Sequence, residues 1–137
     1  MTTKMKSLED FLMDELRDIY SIEDQLITAL PKMAKAATAI ELQQEFENIL
    51  KETEVHIERL NKISKLAGDR ELTGKLCKAM EGLIEESKGI IEENCTNEVR
   101  DVALISAAQK IEHHEIAAYG CAKTYARLLG YTEVNEL

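Results

Sequence analysis

Tryptophan is absent from this 137-residue chain, proline occurs once, and aromatic residues make up only 4%. A sandwich or barrel needs frequent turns and strands rich in aromatic and β-branched residues, so this scarcity argues against an all-β fold and for long helices. Basic clusters are missing too. Lys and Arg number 17 against 26 Asp and Glu, a net charge of −9. That balance disfavours nucleic-acid phosphates and anionic membrane surfaces as partners and suits a protein that attracts cations. No apolar run approaches the length of a membrane span, and residues 1–6 carry no signal-peptide core. Cys77, Cys95 and Cys121 form an odd set without CxxC spacing, read as partly buried thiols of a reduced, cytoplasmic protein. The length suits a single domain, residues 1–137.

What the chain does contain is apolar periodicity near 3.6 residues, the mark of amphipathic helices. Ser7 opens a capping-box-like start, with Asp10 in place of the usual Glu or Gln. The stripe that follows is Leu8, Phe11, Leu12, Ile19, Ile22, Leu26, Leu30 and Met33. Pro31 predicts a kink or local break one turn before it. Thr38-Ala39-Ile40-Glu41 has capping-box spacing and starts a second helix on Leu42, Phe46, Ile49, Thr53, Ile57, Leu60, Ile63 and Ala67, stopped by Gly68. Residues 69–74 read as a short polar linker. A third helix carries Leu72, Leu76, Ala79, Met80, Leu83, Ser87, Ile90 and Ile91 on one side. Residues 94–97 break it and cap a fourth helix that ends at Leu129-Gly130. Residues 131–137 read as a turn and the start of another helix. Short connections between such helices predict an all-α, antiparallel bundle.

Acidic residues interrupt the stripes. On the fourth helix Leu104, Ile105, Ala108, Ile111, Tyr119, Ala122 and Ala126 share one side, and Glu112 and Glu115 fall in its middle. A surface helix keeps carboxylates on the opposite face. Buried, they require protonation, a cationic partner or a metal ion. Glu15 and Glu23 lie inside the first stripe, and Glu52 and His56 form an i, i+4 pair on the second helix. A hairpin at Thr38 brings Glu23 level with Glu52 and His56. A second at Asn97 brings Glu86 level with Glu112, although Glu86 also reads as a solvated rim residue. His113 and His114 project off the stripe and read as surface or structural. Tyr119, one turn after Glu115, reads as a core tyrosine or as a neighbour of the site. Carboxylates gathered at the middle of a helical bundle, with an imidazole among them, are the donor set of ferritin-like di-iron and di-manganese proteins.

Several segments resemble the YciF-like family of bacterial stress proteins. They are Leu16-Arg-Asp-Ile-Tyr-Ser-Ile-Glu-Asp-Gln-Leu26, Ala29-Leu-Pro-Lys-Met-Ala34, Glu52-Thr53 with Glu58-Arg59-Leu60, Cys77-Lys-Ala-Met-Glu-Gly-Leu-Ile-Glu-Glu86 and Ala107-Ala-Gln-Lys-Ile-Glu-His-His-Glu-Ile-Ala-Ala-Tyr-Gly120. The resemblance runs through the whole chain in order. It implies a ferritin-like fold, a homodimer and a di-iron centre linked to stress, with Glu23, Glu52, Glu112 and Glu115 as the ligand positions. The chain departs from the wider superfamily in two ways. The residue three after Glu52 is Val55, so the Glu-x-x-His of the second helix is replaced by His56 one residue late, which needs a π-bulge or a different geometry. The further acidic helix that follows Leu-Gly-Tyr in the family is expected to be missing or truncated here.

Two functions follow as expectations. One is a metal centre on Glu23, Glu52, His56, Glu112 and Glu115, holding two iron ions or manganese and handling peroxide or oxygen, a small oxidant substrate. Manganese-catalase-like disproportionation needs no external electron donor, whereas rubrerythrin-like reduction does, and no rubredoxin-like CxxC pair is present. The alternative is a non-enzymatic helical dimer of the stress response with an empty or vestigial site.

Overall fold

The computed structural model describes residues 7–68 and 70–131. It contains four helices: α1 (Leu8–Ala36), α2 (Ile40–Leu66), α3 (Lys78–Glu92) and α4 (Asn97–Leu128). No strand occurs among the described residues. The breaks fall at residues 37–39, after Leu66 and at residues 93–96, within a residue or two of where the sequence places them. Ser7 caps α1 by accepting from the N–H of Asp10 at 3.2 Å, and Thr96 caps α4 by accepting from that of Val99 at 3.3 Å. Of the expected turn at residues 131–137, all but Tyr131 lies outside the described residues.

The first helix is the axis of the bundle. Leu12, Met13, Leu16, Ile19, Ile22, Leu26, Ala29, Leu30 and Met33 are all buried, because α1 packs against α2, α4 and α3 in decreasing extent. Each aliphatic side chain so buried contributes roughly 1.5–3 kcal/mol. Residues 37–39 turn the chain back, so α2 runs antiparallel to α1 and buries Phe46, Thr53, Leu60 and Ile63 against it. The helix α1 continues through Pro31 without the local break the sequence suggested.

Three local expectations are corrected by tertiary contacts. The start of α2 is capped from outside. Ala39, which has no side-chain cap to offer, is the N-cap residue, and Asp101 of α4 accepts from the N–H groups of Thr38 at 2.8 Å and Ala39 at 2.9 Å. The third helix begins at Lys78, later than its apolar pattern implied. Leu72 and Leu76 belong instead to an irregular strap, residues 70–77, bound along α1. Arg17 donates to the carbonyl of Glu71 at 3.2 Å, and Lys75 reaches Asp14 at 2.7 Å and Asp18 at 3.1 Å. Ser21 accepts from the N–H of Cys77 at 2.8 Å, and Gln25 donates to the Cys77 carbonyl at 3.1 Å. These side chains satisfy backbone groups that a helix would otherwise have paired. Finally, α4 is rotated from its expected orientation. It buries Leu104, Ala107, Ile111, Ala118, Ala122 and Ala126, while Ile105 is 46% exposed and Val99, Val102 and Ile116 also face outward.

Candidate metal centre

Position 23 lies on α1 between Ile22 and Leu26, both wholly buried, so the helix carries its carboxylate inside; Glu23 is 0% exposed. His56 follows Thr53 by one turn on the buried side of α2. Its Nδ1 lies 3.2 Å from Oε2 of Glu23. Glu115 comes from α4, half-buried, one turn before Tyr119. One donor atom from each of Glu23, His56 and Glu115 falls within 4.8 Å of the other two. Metal–ligand bonds of roughly 2.0–2.2 Å place donors about 3–4.4 Å apart, so the three suit a shared divalent ion after small side-chain rotations.

Two observations test whether this donor set fits a cation. Oε1 of Glu23 is buried without a hydrogen-bond partner, an expensive arrangement for an ionised carboxylate. The Glu115 carboxyl is pushed up to about 9, first by burial, then by Glu23 close beside it and by the charges of Glu112 and Glu52. Two ionised carboxylates this close repel each other, so without a cation a proton on Glu115 is what lets the pair coexist. A metal ion does the same work with more charge. The mixed carboxylate and imidazole donors suit iron or manganese.

Tyr119 closes one side. Its ring centroid lies 5.7 Å from that of His56, and its hydroxyl is buried without a hydrogen-bond partner. Burial, then the charges of Glu23 and Glu115, drive its phenol well above the ordinary value, while Arg59 pulls the other way. The hydroxyl thus sits within the field of Glu23 without an ordinary hydrogen-bond geometry to it.

The expected ligands divide. Glu23, His56 and Glu115 are brought together. Glu112 is half-buried, and Glu52 is exposed rather than inside a buried pocket; both stand at the edge, near enough to act on Glu115. His56 needs no π-bulge, because α2 is regular α-helix throughout and the ring reaches Glu23 directly. Glu86 is exposed on α3, as its rim reading implied. His113 is exposed, its Nδ1 2.7 Å from the carbonyl oxygen of Gln109. Arg59, the cation that acts on the Tyr119 phenol, was not singled out as a site residue from sequence; its place three residues after His56 was the available signal.

Comparison with known proteins agrees with this architecture. Residues 7–137 match the family described as Domain of unknown function (DUF892). Protein YciF of Escherichia coli is 46% identical over 133 residues, covering 97% of this chain and 80% of YciF. The crystal structure of that stress protein superposes with a TM-score of 0.93 at 45% identity, over 96% of this chain and 83% of the other. YcfI of Rhodopseudomonas palustris superposes with a TM-score of 0.94 at 38% identity, over 99% and 86%.

Proposed function

This chain belongs to the DUF892 family, with YciF as a relative, and from that premise we propose that it is a stress protein with a ferritin-like carboxylate–histidine metal centre. The observation that carries the reading is the fully buried Glu23, with one oxygen unpartnered and the other held by His56, next to Glu115. Glu23, His56 and Glu115 are the inner ligands of this proposal, and Glu52 and Glu112 complete the set for two ions of iron or, alternatively, manganese. Bound, such ions supply redox chemistry toward a small oxidant, peroxide or oxygen.

The chain's own residues have distinct tasks. His56 orients Glu23 through the 3.2 Å contact. Glu115 gives up its proton when a cation replaces it, which couples metal uptake to proton release. The Tyr119 ring packs beside that of His56, with centroids 5.7 Å apart, and holds the imidazole against the carboxylates. Metal analysis of protein purified without chelators tests the reading: iron or manganese in a fixed ratio to protein is expected, and its absence from wild type under metal-replete growth would overturn it.

A second reading has its own support. Among the described residues three donors converge tightly, and Glu52 is exposed, as in a non-enzymatic helical protein whose site is vestigial. Both readings accommodate a homodimer in the cytoplasm. The outward Val99, Val102, Ile105 and Ile116 of α4 support self-association, and the three unpaired cysteines support a reducing compartment. No helix among the described residues is long and apolar enough to cross a membrane. Sedimentation showing only monomer at micromolar concentration would remove the dimer.

A further inference from the structure

The strap and α4 bring together two side chains that the carboxylate centre does not use. Cys77 ends the strap and is the N-cap residue of α3. His114 projects off the buried stripe of α4. They are 37 residues apart in sequence, yet Cys77 Sγ lies 3.7 Å from His114 Nε2. The sulfur is held in place because the Cys77 N–H and carbonyl are both bound by α1, through Ser21 and Gln25. Cys77 is only 6% exposed, but it lines a cleft of about 530 Å³ together with His114, Glu15, Asp18, Lys75 and Lys78, and Cys121 lies in the same cleft.

We propose that Cys77 and His114 form a thiol–imidazole site, separate from the carboxylate centre, that reacts with a small, uncharged hydroperoxide. Geometry selects that substrate class. The nearly covered sulfur excludes bulky disulfides, and the two acids and two lysines of the cleft give no net charge to recruit an ionic oxidant. The N-terminus of α3 favours negative charge beside the sulfur. In the reaction His114 Nε2 takes the thiol proton. The sulfur attacks the terminal oxygen of the peroxide, an S–O bond forms and the O–O bond breaks. Sulfur loses two electrons to the peroxide, and the departing hydroxide or alkoxide takes the proton from His114. Cys77 becomes a sulfenic acid, and water or an alcohol leaves.

The test uses full-length protein with Cys95→Ser and Cys121→Ser, so that Cys77 is the remaining thiol, with chelator present to silence any metal. Hydrogen peroxide is added with a 1,3-diketone that traps sulfenic acids, and intact mass is followed over time. Cys77 is expected to form the adduct faster than Cys121 does in a matched Cys77→Ser, Cys95→Ser protein, although Cys121 is the exposed thiol. His114→Gln, shown to be folded by its thermal melt, is expected to slow the adduct by about a hundredfold, the scale of a lost general base. No adduct on Cys77, a rate below that of Cys121, or a folded His114→Gln protein of unchanged rate would each overturn the proposal. Because chelator is present throughout, these outcomes are independent of whether the carboxylate centre binds metal.

Discussion

Nδ1 of His56 lies 3.2 Å from Oε2 of Glu23, joining α2 to a carboxylate that the core encloses completely. This contact leaves the second oxygen of Glu23 without a donor. In the proposed centre it is therefore the point at which metal binding, proton uptake and bundle stability would be linked.

Added Fe(II) or Mn(II) is expected to raise the melting temperature. An ion that binds only the folded state stabilises it by about 2.7 kcal/mol at a hundredfold excess over its dissociation constant. Glu23→Gln keeps a hydrogen-bonding oxygen near His56 but removes the charge, so the gain should disappear. Scanning calorimetry with and without metal checks this, and a wild-type melt indifferent to both ions at millimolar concentration would count against the centre.

The metal-free protein is expected to lose stability as pH rises from about 5 to about 9. The folded Glu115 carboxyl is raised from its ordinary 4.5 to about 9. A raised acid binds its proton more tightly folded than unfolded, so its contribution is complete below the unfolded value and fades as pH climbs to the folded one. Glu115→Gln should flatten that slope. Bound metal should abolish it, because the ion displaces the Glu115 proton and neither the folded nor the unfolded state then carries one in this range. Urea denaturation across this pH range decides the sign.

Tyr119→Phe is expected to stabilise the metal-free protein or leave it unchanged. Its hydroxyl is buried without a partner, and an unsatisfied buried polar group costs roughly 1–3 kcal/mol, which the phenyl ring avoids. A loss of more than about 1 kcal/mol in chemical denaturation would show that the hydroxyl has a partner in solution.

Asp101→Ala is expected to cost about 1–2 kcal/mol, the usual scale of a lost N-cap. Asp101 serves two N–H groups at the start of α2 although it belongs to α4. Asp101→Asn should recover part of the loss, because an amide oxygen still accepts. Thermal melts of the two variants measure the difference. Thr38→Ala should be nearly neutral, since the Asp101 bond at that position is to the main-chain N–H.

The stripes on α1 and α2 were legible because a helix facing a core repeats its apolar residues locally, and Ile19, Ile22, Leu26, Phe46 and Leu60 are buried where that repeat puts them. The conjunction of Glu23 with His56 was legible for a similar reason. One tight turn between two long helices fixes which residues come level. The strap was not legible. Leu72 and Leu76 continue the apolar pattern of α3, and nothing nearby in sequence signals that Ser21 and Gln25 of α1 bind the backbone at Cys77.

The sequence by itself determined that this protein is a helical bundle, where its long helices turn, and which acids intrude on their apolar sides. Those properties depend on neighbours within a turn or a hairpin. Tertiary structure alone decided that Glu23 is enclosed while Glu52 faces water, that α4 rotates to seat its alanines and leave Ile105 outside, and that Cys77 meets His114. Each of these depends on how far one helix rotates or slides against another. A partial rotation about the helix axis moves a side chain from core to solvent without changing the helical repeat, and the packing of all the elements together selects it.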